Sequence, residues 1–203
     1  MSLKTLAVLA LLTLGACTAG KEYADDTAMA APGAHYFAEP PRFITLYTVV
    51  NARSGAGAHS ALEINASEQV LFDPAGSWKH PKVPERNDVH YGFNPRMEIF
   101  YIDYHARPTF NVIVQKLLVS PQVAEMVKQR AEAYGAVPQA NCANSISKIL
   151  QGVPGFESIQ GTWFPNKLSK EFGELPGVQR SFVTDETSDH SHGVTLIEPP
   201  AAY

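Results

Sequence analysis

The apolar and polar positions mark a run of strands followed by a run of helices. Phe43 to Val50 is β-rich and mostly apolar, the pattern of a buried strand. Asn51 to Gly57 carries Gly55, Gly57, an Asn and a Ser, and reads as a turn. From Ala58 to Ile64 a two-residue period sets His59, Ala61 and Glu63 on one face and Ser60, Leu62 and Ile64 on the other. The Leu62 and Ile64 face is expected to be buried, so the His59 face should look towards a cleft or solvent. Glu68 to Phe72 forms a hairpin with that strand and stops at Asp73-Pro74-Ala75-Gly76. Residues 76–96, with Trp78, His80, prolines and many charges, read as a long irregular loop of the kind that lines clefts. Met97–Tyr104 and Thr109–Leu118 are rich in β-branched and aromatic residues and are expected as further strands.

Helical signals begin at Ser120-Pro121, an N-cap followed by an N1 proline. Val123, Met126, Val127, Arg130 and Tyr134 line one side, and Gly135 is the stop. Asn141 is placed to cap the next helix, where Ile146, Ile149 and Leu150 fall at helical spacing up to about Gly152. A short helix is expected near Pro165–Phe172. Residues 184–193 are polar, and the C-terminal end reads as loose or edge-like. The fold class is α+β.

Composition narrows the function. The 203 residues are 45% hydrophobic and 18% charged, enough for one domain with a proper core plus an apolar leader. The net charge of −4 and the lack of a basic stripe argue against a nucleic-acid partner. Met1-Ser2-Leu3-Lys4 is a short positive start, Thr5 to Leu14 an apolar core too short to span a bilayer, and Leu14-Gly15-Ala16-Cys17 resembles a bacterial lipobox. The organisation expected is a signal peptide over 1–16, a tether over 17–41 and a domain over 42–203. Lipidated Cys17 would tether the mature protein to a membrane by acyl chains. By the same resemblance, the lack of Asp at position 18 suits an outer membrane, with the domain facing the periplasm.

With Cys17 claimed by lipid, Cys142 has no partner in the chain. An unpaired thiol in an oxidising compartment is a liability, more easily understood if it is used. Cys142 would stand in the first turn of its helix, where unpaired N–H groups and the helix dipole favour a thiolate. Its base would be His59. A third polar residue to orient the imidazole could be Asp73, Glu63 or His80. Asp73 closes the strand paired with that of His59, whereas Glu63 is two strand steps away, roughly 6–7 Å by rise alone. The backbone N–H of Cys142 and the Asn141 side chain are candidates for an oxyanion hole. Asp189-His190-Ser191-His192 offers potential metal ligands, but without a Cys or Glu set at recognised spacing it reads as solvated chain; no metal or other cofactor is expected.

The segments "AHSALEI", "VLFDPAGSW" and "NCANSISKIL", in that order, place a strand histidine before a helix-opening cysteine. Over roughly residues 43–170 this resembles the circularly permuted papain-like cysteine hydrolases, which include permuted NlpC-like peptidases and lecithin:retinol acyltransferase-like relatives. The resemblance implies a small antiparallel sheet packed on the cysteine helix, with His59 facing Cys142 and residues 153–179 covering one side of the cleft. It also places Asp73 near the family's polar partner. The implied activity is that of an envelope thiol hydrolase or acyltransferase acting on amide or ester bonds, in peptidoglycan peptides or lipid acyl groups. The alternative is a non-catalytic lipoprotein that uses the same cleft to bind an envelope ligand or partner.

Overall fold

The computed structural model describes residues 24–185. The leader 1–16, Cys17 and the Asp189–His192 cluster lie outside the described residues. The elements run α1 (Asp26–Met29), β1 (Phe43–Asn51), β2 (Gly57–Asn65), β3 (Gln69–Phe72), β4 (Glu85–Arg86), β5 (Val89–His90), α2 (Pro95–His105), β6 (Phe110–Leu118), α3 (Pro121–Tyr134), α4 (Cys142–Leu150), α5 (Pro165–Gly173) and β7 (Gln179–Val183). The fold is α+β. Its seven strands form one antiparallel sheet in the order β4-β5-β3-β2-β1-β6-β7. No helix among the described residues is long and apolar enough to cross a membrane.

Strand alternation decides the layering. Ile44, Leu46, Leu62, Ile64, Val70, Phe72 and Leu117 point to one face and pack against α3, α4 and α5 through Val127, Ile146, Ile149, Leu150, Leu168 and Phe172. Burying each of these larger apolar side chains contributes about 1.5–3 kcal/mol, so this layer carries much of the drive to fold. Tyr47, Ala61, Leu71 and Val112 point to the opposite face. There α2 and the preceding loop cover them with Trp78, Phe93, Met97, Phe100 and Tyr101. The His59 face of β2 is therefore not open along its length. Ala61 and Glu63 are fully buried, and only the Ala58–His59 end reaches a cleft.

Two expectations are corrected by this arrangement. Met97–Tyr104 is helical rather than extended. Asn94 Oδ1 accepts from the backbone N–H groups of Arg96 (3.0 Å) and Met97 (3.1 Å), Pro95 occupies the first turn, and Met97, Phe100, Tyr101 and His105 recur on one buried side. Residues 24–41, expected as tether, are bound to the sheet from Ala24 onwards. Ala24 N–H donates to Glu85 O (2.8 Å), Arg86 pairs with Asp26 (2.6 Å), His35 meets Glu68 (2.6 Å), and Gln69 N–H donates to Tyr36 O (2.9 Å). Gly92 admits this segment, because a Cβ there would press on the backbone oxygen of Gly33. The edge strand β7, largely exposed and without apolar alternation, was not signalled by the sequence pattern.

Beneath α2 lies a buried acidic site. Glu63 accepts hydrogen bonds from Tyr47 Oη (2.7 Å) and Gln69 Nε2 (2.8 Å), and Tyr47 Oη also contacts Glu98 at 3.0 Å. Burial, then the Glu98 charge, push Glu63 up to about 8, against the pull of the Tyr47 hydrogen bond. A carboxyl raised on folding makes the native state bind more protons than the unfolded chain. Stability therefore falls as pH rises from the ordinary value of 4.5 through about 8. Glu63→Gln, which keeps a neutral hydrogen-bonding group, is expected to lessen the fall in Tm between about pH 5 and about pH 8, leaving the part that His59 contributes above 6.5. Thermal melts of both proteins across that range check it; two parallel curves would count against a neutral Glu63.

Candidate active site

Cys142 is the first residue of α4 because Ala143, Ile146, Ile149 and Leu150 form a stripe that the sheet buries from that point on. The expected side-chain cap is absent. Asn141 precedes the helix, but its Nδ2 donates to Gln139 O (2.9 Å) and its Oδ1 accepts from Asn144 Nδ2 (3.4 Å). Asn141 is thus turned to its own loop, and the cleft wall here is Gln139 and Ala140. The same geometry argues against Asn141 as an oxyanion donor. What favours the sulfur's anion is different: the backbone N–H of Ala143, in the first turn, and that of Ser60, on β2, both act on Cys142.

The Ser60 N–H is free to do so because β3 begins its pairing with β2 only at Leu62 opposite Phe72. Beyond that register β2 has an open margin, and α4 sets its cysteine there. The His59 ring lies beside the Cys142 side chain in the same cleft, and each acts on the charge of the other. Its Nε2 is 2.6 Å from Asp73 Oδ1, which leaves Nδ1 for the sulfur. Asp73 is the first residue after β3, in a turn closed by Gly76 N–H to Asp73 O (3.0 Å). Its Oδ1 also accepts from Tyr101 Oη (2.9 Å), and its Oδ2 is buried without a hydrogen-bond partner.

The charges follow from these contacts. Burial acts to lower His59, but the Asp73 carboxylate, its hydrogen bond and Cys142 outweigh it and push the imidazole up to about 10. Burial acts to raise Asp73, yet the His59 charge and hydrogen bond hold it well below the ordinary carboxyl range. Burial acts to raise Cys142, and the His59 hydrogen bond and charge with the two backbone N–H groups bring it below an ordinary thiol. At neutral pH the site therefore holds an imidazolium hydrogen-bonded to a carboxylate, beside a thiol whose anion is favoured.

The other two orienting candidates are elsewhere. Glu63 is engaged with Tyr47 and Gln69, and His80 accepts from Lys82 N–H (3.1 Å) and stacks on Phe100 (5.3 Å) beside a separate hollow. Three further residues at the site were not singled out from sequence: Tyr101, His105 and Arg107. His105 stacks on His59 (5.8 Å, 12°), and its Nδ1 donates to Tyr101 O (2.9 Å). Burial first, against the pull of Asp73, brings it down to about 4, so a neutral ring lies against a charged one. The Asn94-Pro95 helix start, with Tyr101 and His105 four apart, was the signal that could have found this wall.

The cleft over Cys142 holds about 250 Å³ and is lined by Ala58, His59, Gly76, Ser77, Tyr104, His105, Arg107 and Gln139, among others. A roomier hollow of about 590 Å³ beside α5 is lined by Ser169 and Lys170 among others, with Ser169 Oγ donating to Gln115 Oε1 (2.8 Å). Comparison with family models, with curated proteins and with solved structures returns no match.

Proposed function

We propose that the protein is a thiol hydrolase or acyltransferase of the cell envelope, built on a permuted papain-like fold. The observation that carries this reading is Cys142 and His59 lining one cleft, with Asp73 hydrogen-bonded behind the imidazole. Supporting it is the chain order, with histidine on β2, carboxylate after β3 and cysteine opening α4. In the proposed reaction the Cys142 thiolate attacks the carbonyl carbon of an amide or ester, forming an S–C bond. The carbonyl oxygen takes the negative charge, facing the Cys142 backbone N–H at the helix N-terminus. As the C–N or C–O bond breaks, the imidazolium gives its proton to the departing amine or alcohol. Neutral His59 then takes a proton from water, or from an acceptor hydroxyl or amine, and that nucleophile attacks the thioester. The acyl product leaves, and thiolate and imidazolium are restored. Asp73 and Tyr101 hold the ring in the orientation both steps need.

Incubating the domain with peptidoglycan fragments and with acyl esters, and following product release, tests this function. Turnover of one class is expected, with complete loss in Cys142→Ser and a retained fold. A null on both classes, with Cys142 unreactive, would favour the role of a non-catalytic binding lipoprotein. The proposal places the domain at the periplasmic side of an outer membrane, held by acyl chains on Cys17. The N-terminal fragment recovered from membranes should carry their mass on Cys17; an unmodified terminus elsewhere removes the anchor.

A further inference from the structure

The cleft holds one cation that nothing on the described chain neutralises. Arg107 opens the hairpin into β6, fixed at both ends by Arg107 N–H to Phe110 O (2.9 Å) and Phe110 N–H to Arg107 O (2.8 Å). Its guanidinium lies over the Phe110 ring at 5.0 Å, and both residues line the cleft with Cys142. Its Nε is buried with no hydrogen-bond partner, and no carboxylate pairs with it among the described residues. Its charge is close enough to act on His105. Asp73, the carboxylate of the site, already serves His59 and Tyr101. A buried donor left unsatisfied is costly, and a guanidinium held on an aromatic face keeps its fork aimed without further ordering.

We propose that Arg107 is a specificity-determining residue that selects substrates bearing a carboxylate within a few bonds of the carbonyl attacked by Cys142. This rests on the thiolate reading proposed above and narrows its substrate class to short acidic peptides. A planar guanidinium binds a carboxylate through two parallel N–H···O bonds. The cleft volume of about 250 Å³ equals a sphere about 8 Å across, below the usual range for a drug-sized ligand. An anion on Arg107 therefore sits close to the scissile bond. Ser77, Tyr104, His105 and Gln139 make the wall polar, which suits a peptide end and not a long acyl chain.

The test uses two alkylating reagents of nearly one shape. Iodoacetate carries a carboxylate and iodoacetamide is neutral; in both, the thiolate sulfur displaces iodide from the methylene carbon. The readout is the ratio of the two rate constants, which cancels any change in the thiolate itself. In the unaltered protein the iodoacetate-to-iodoacetamide ratio is expected to exceed that of glutathione by about tenfold. Arg107→Gln should bring it to the glutathione value, and Arg107→Lys should leave it between the two. The unaltered protein also allows a measurement that needs no variant: N-acetylglycine should protect Cys142 from iodoacetamide, and N-acetylglycinamide should not. Fast reaction with iodoacetamide but a glutathione-like ratio, or a ratio indifferent to Arg107→Gln, overturns the role of Arg107 alone. Slow reaction with both reagents overturns the thiolate reading and this inference with it. Protection by inorganic phosphate but not by N-acetylglycine replaces the carboxylate with a phosphate, and the peptide class is lost.

Discussion

At about pH 6, Cys142 in His59→Ala is expected to alkylate with iodoacetamide about 10- to 100-fold more slowly than in the unaltered chain. Below its pKa a thiol loses tenfold in thiolate for each unit of separation. Burial opposes the Cys142 anion, and the His59 hydrogen bond and charge are the largest effects holding it. Without the imidazolium, the Ser60 and Ala143 N–H groups remain against that burial, and the titration should return towards the ordinary thiol value or above it. The sign can be followed across pH. A depressed thiol is anionic above its lowered pKa and loses the anion as pH falls through it. A raised imidazole stays charged until pH rises through about 10. The unaltered protein should therefore show a plateau of reactivity between those limits, and His59→Ala a single rise at the position of a free thiol. Second-order rate constants from about pH 5 to about pH 10 decide the matter, and identical profiles for the two proteins would sink the pair.

Asp73→Asn should be the next most damaging change. The carboxylate is the main force raising His59, so its loss leaves burial free to lower the ring and neutralise it at physiological pH. Reactivity at neutral pH should then drop, and turnover should fall on the order of a hundredfold or more, as for loss of the orienting acid in other triads. Stability should fall as well, by about 1–3 kcal/mol, because Tyr101 Oη and His59 Nε2 lose a charged acceptor in a buried site. The deficit depends on pH. The histidine contribution is fully present below the ordinary value of 6.5 and is lost as pH rises through about 10. The carboxylate contribution is present above the ordinary value of 3.8 and is lost as pH falls through the depressed one. Urea titrations should thus show the largest gap between the two proteins at mid-range pH and a smaller one at either extreme. Gly76→Ala supplies an independent perturbation, since an added Cβ would overlap the Asp73 carboxylate and displace it without removing its charge. Gly161→Ala, whose new methyl group meets only Gln151 Nε2 at 3.5 Å, is the control. If Gly76→Ala and Gly161→Ala react alike, the position of Asp73 does not matter to the thiol.

How far the sequence could be read depended on whether a residue's surroundings came from its own element. β1, β2, β3, β6 and α3–α5 carry their burial pattern in their own periodicity, so their limits fall within a residue or two of expectation. His59, Asp73 and Cys142 are brought together from a strand, the turn that ends its hairpin partner and a helix start, all of them local signals. α2 was misread because Ile99, Phe100, Tyr101 and Ile102 look like a strand when counted by type. Asn94-Pro95 is the same kind of start as Ser120-Pro121, and it outweighs that count. Tyr101 and His105 went unnoticed for the same reason, since they reach the site only when α2 is a helix lying across the sheet, and Arg107 follows that helix at the opening of the β6 hairpin. The docking of residues 24–41 was hidden more deeply. It depends on partners such as Glu68, Glu85 and Arg86 that are remote in sequence, in a stretch whose composition reads as linker.

That docked segment has a mechanical consequence for the proposed anchor. Only residues 18–23 separate Cys17 from Ala24, which is fastened to β4 through Glu85 and Arg86. The seven steps from Cys17 to Ala24, fully stretched, reach about 23–25 Å. That is less than the width of the domain itself, about 40 Å for a compact body of this size. An acylated Cys17 would make this a moored enzyme and not one on a long leash. Its β4 edge would ride close to the bilayer, and its working radius would stop well short of the far side of the periplasm. Substrates would have to come to the membrane surface to be cut.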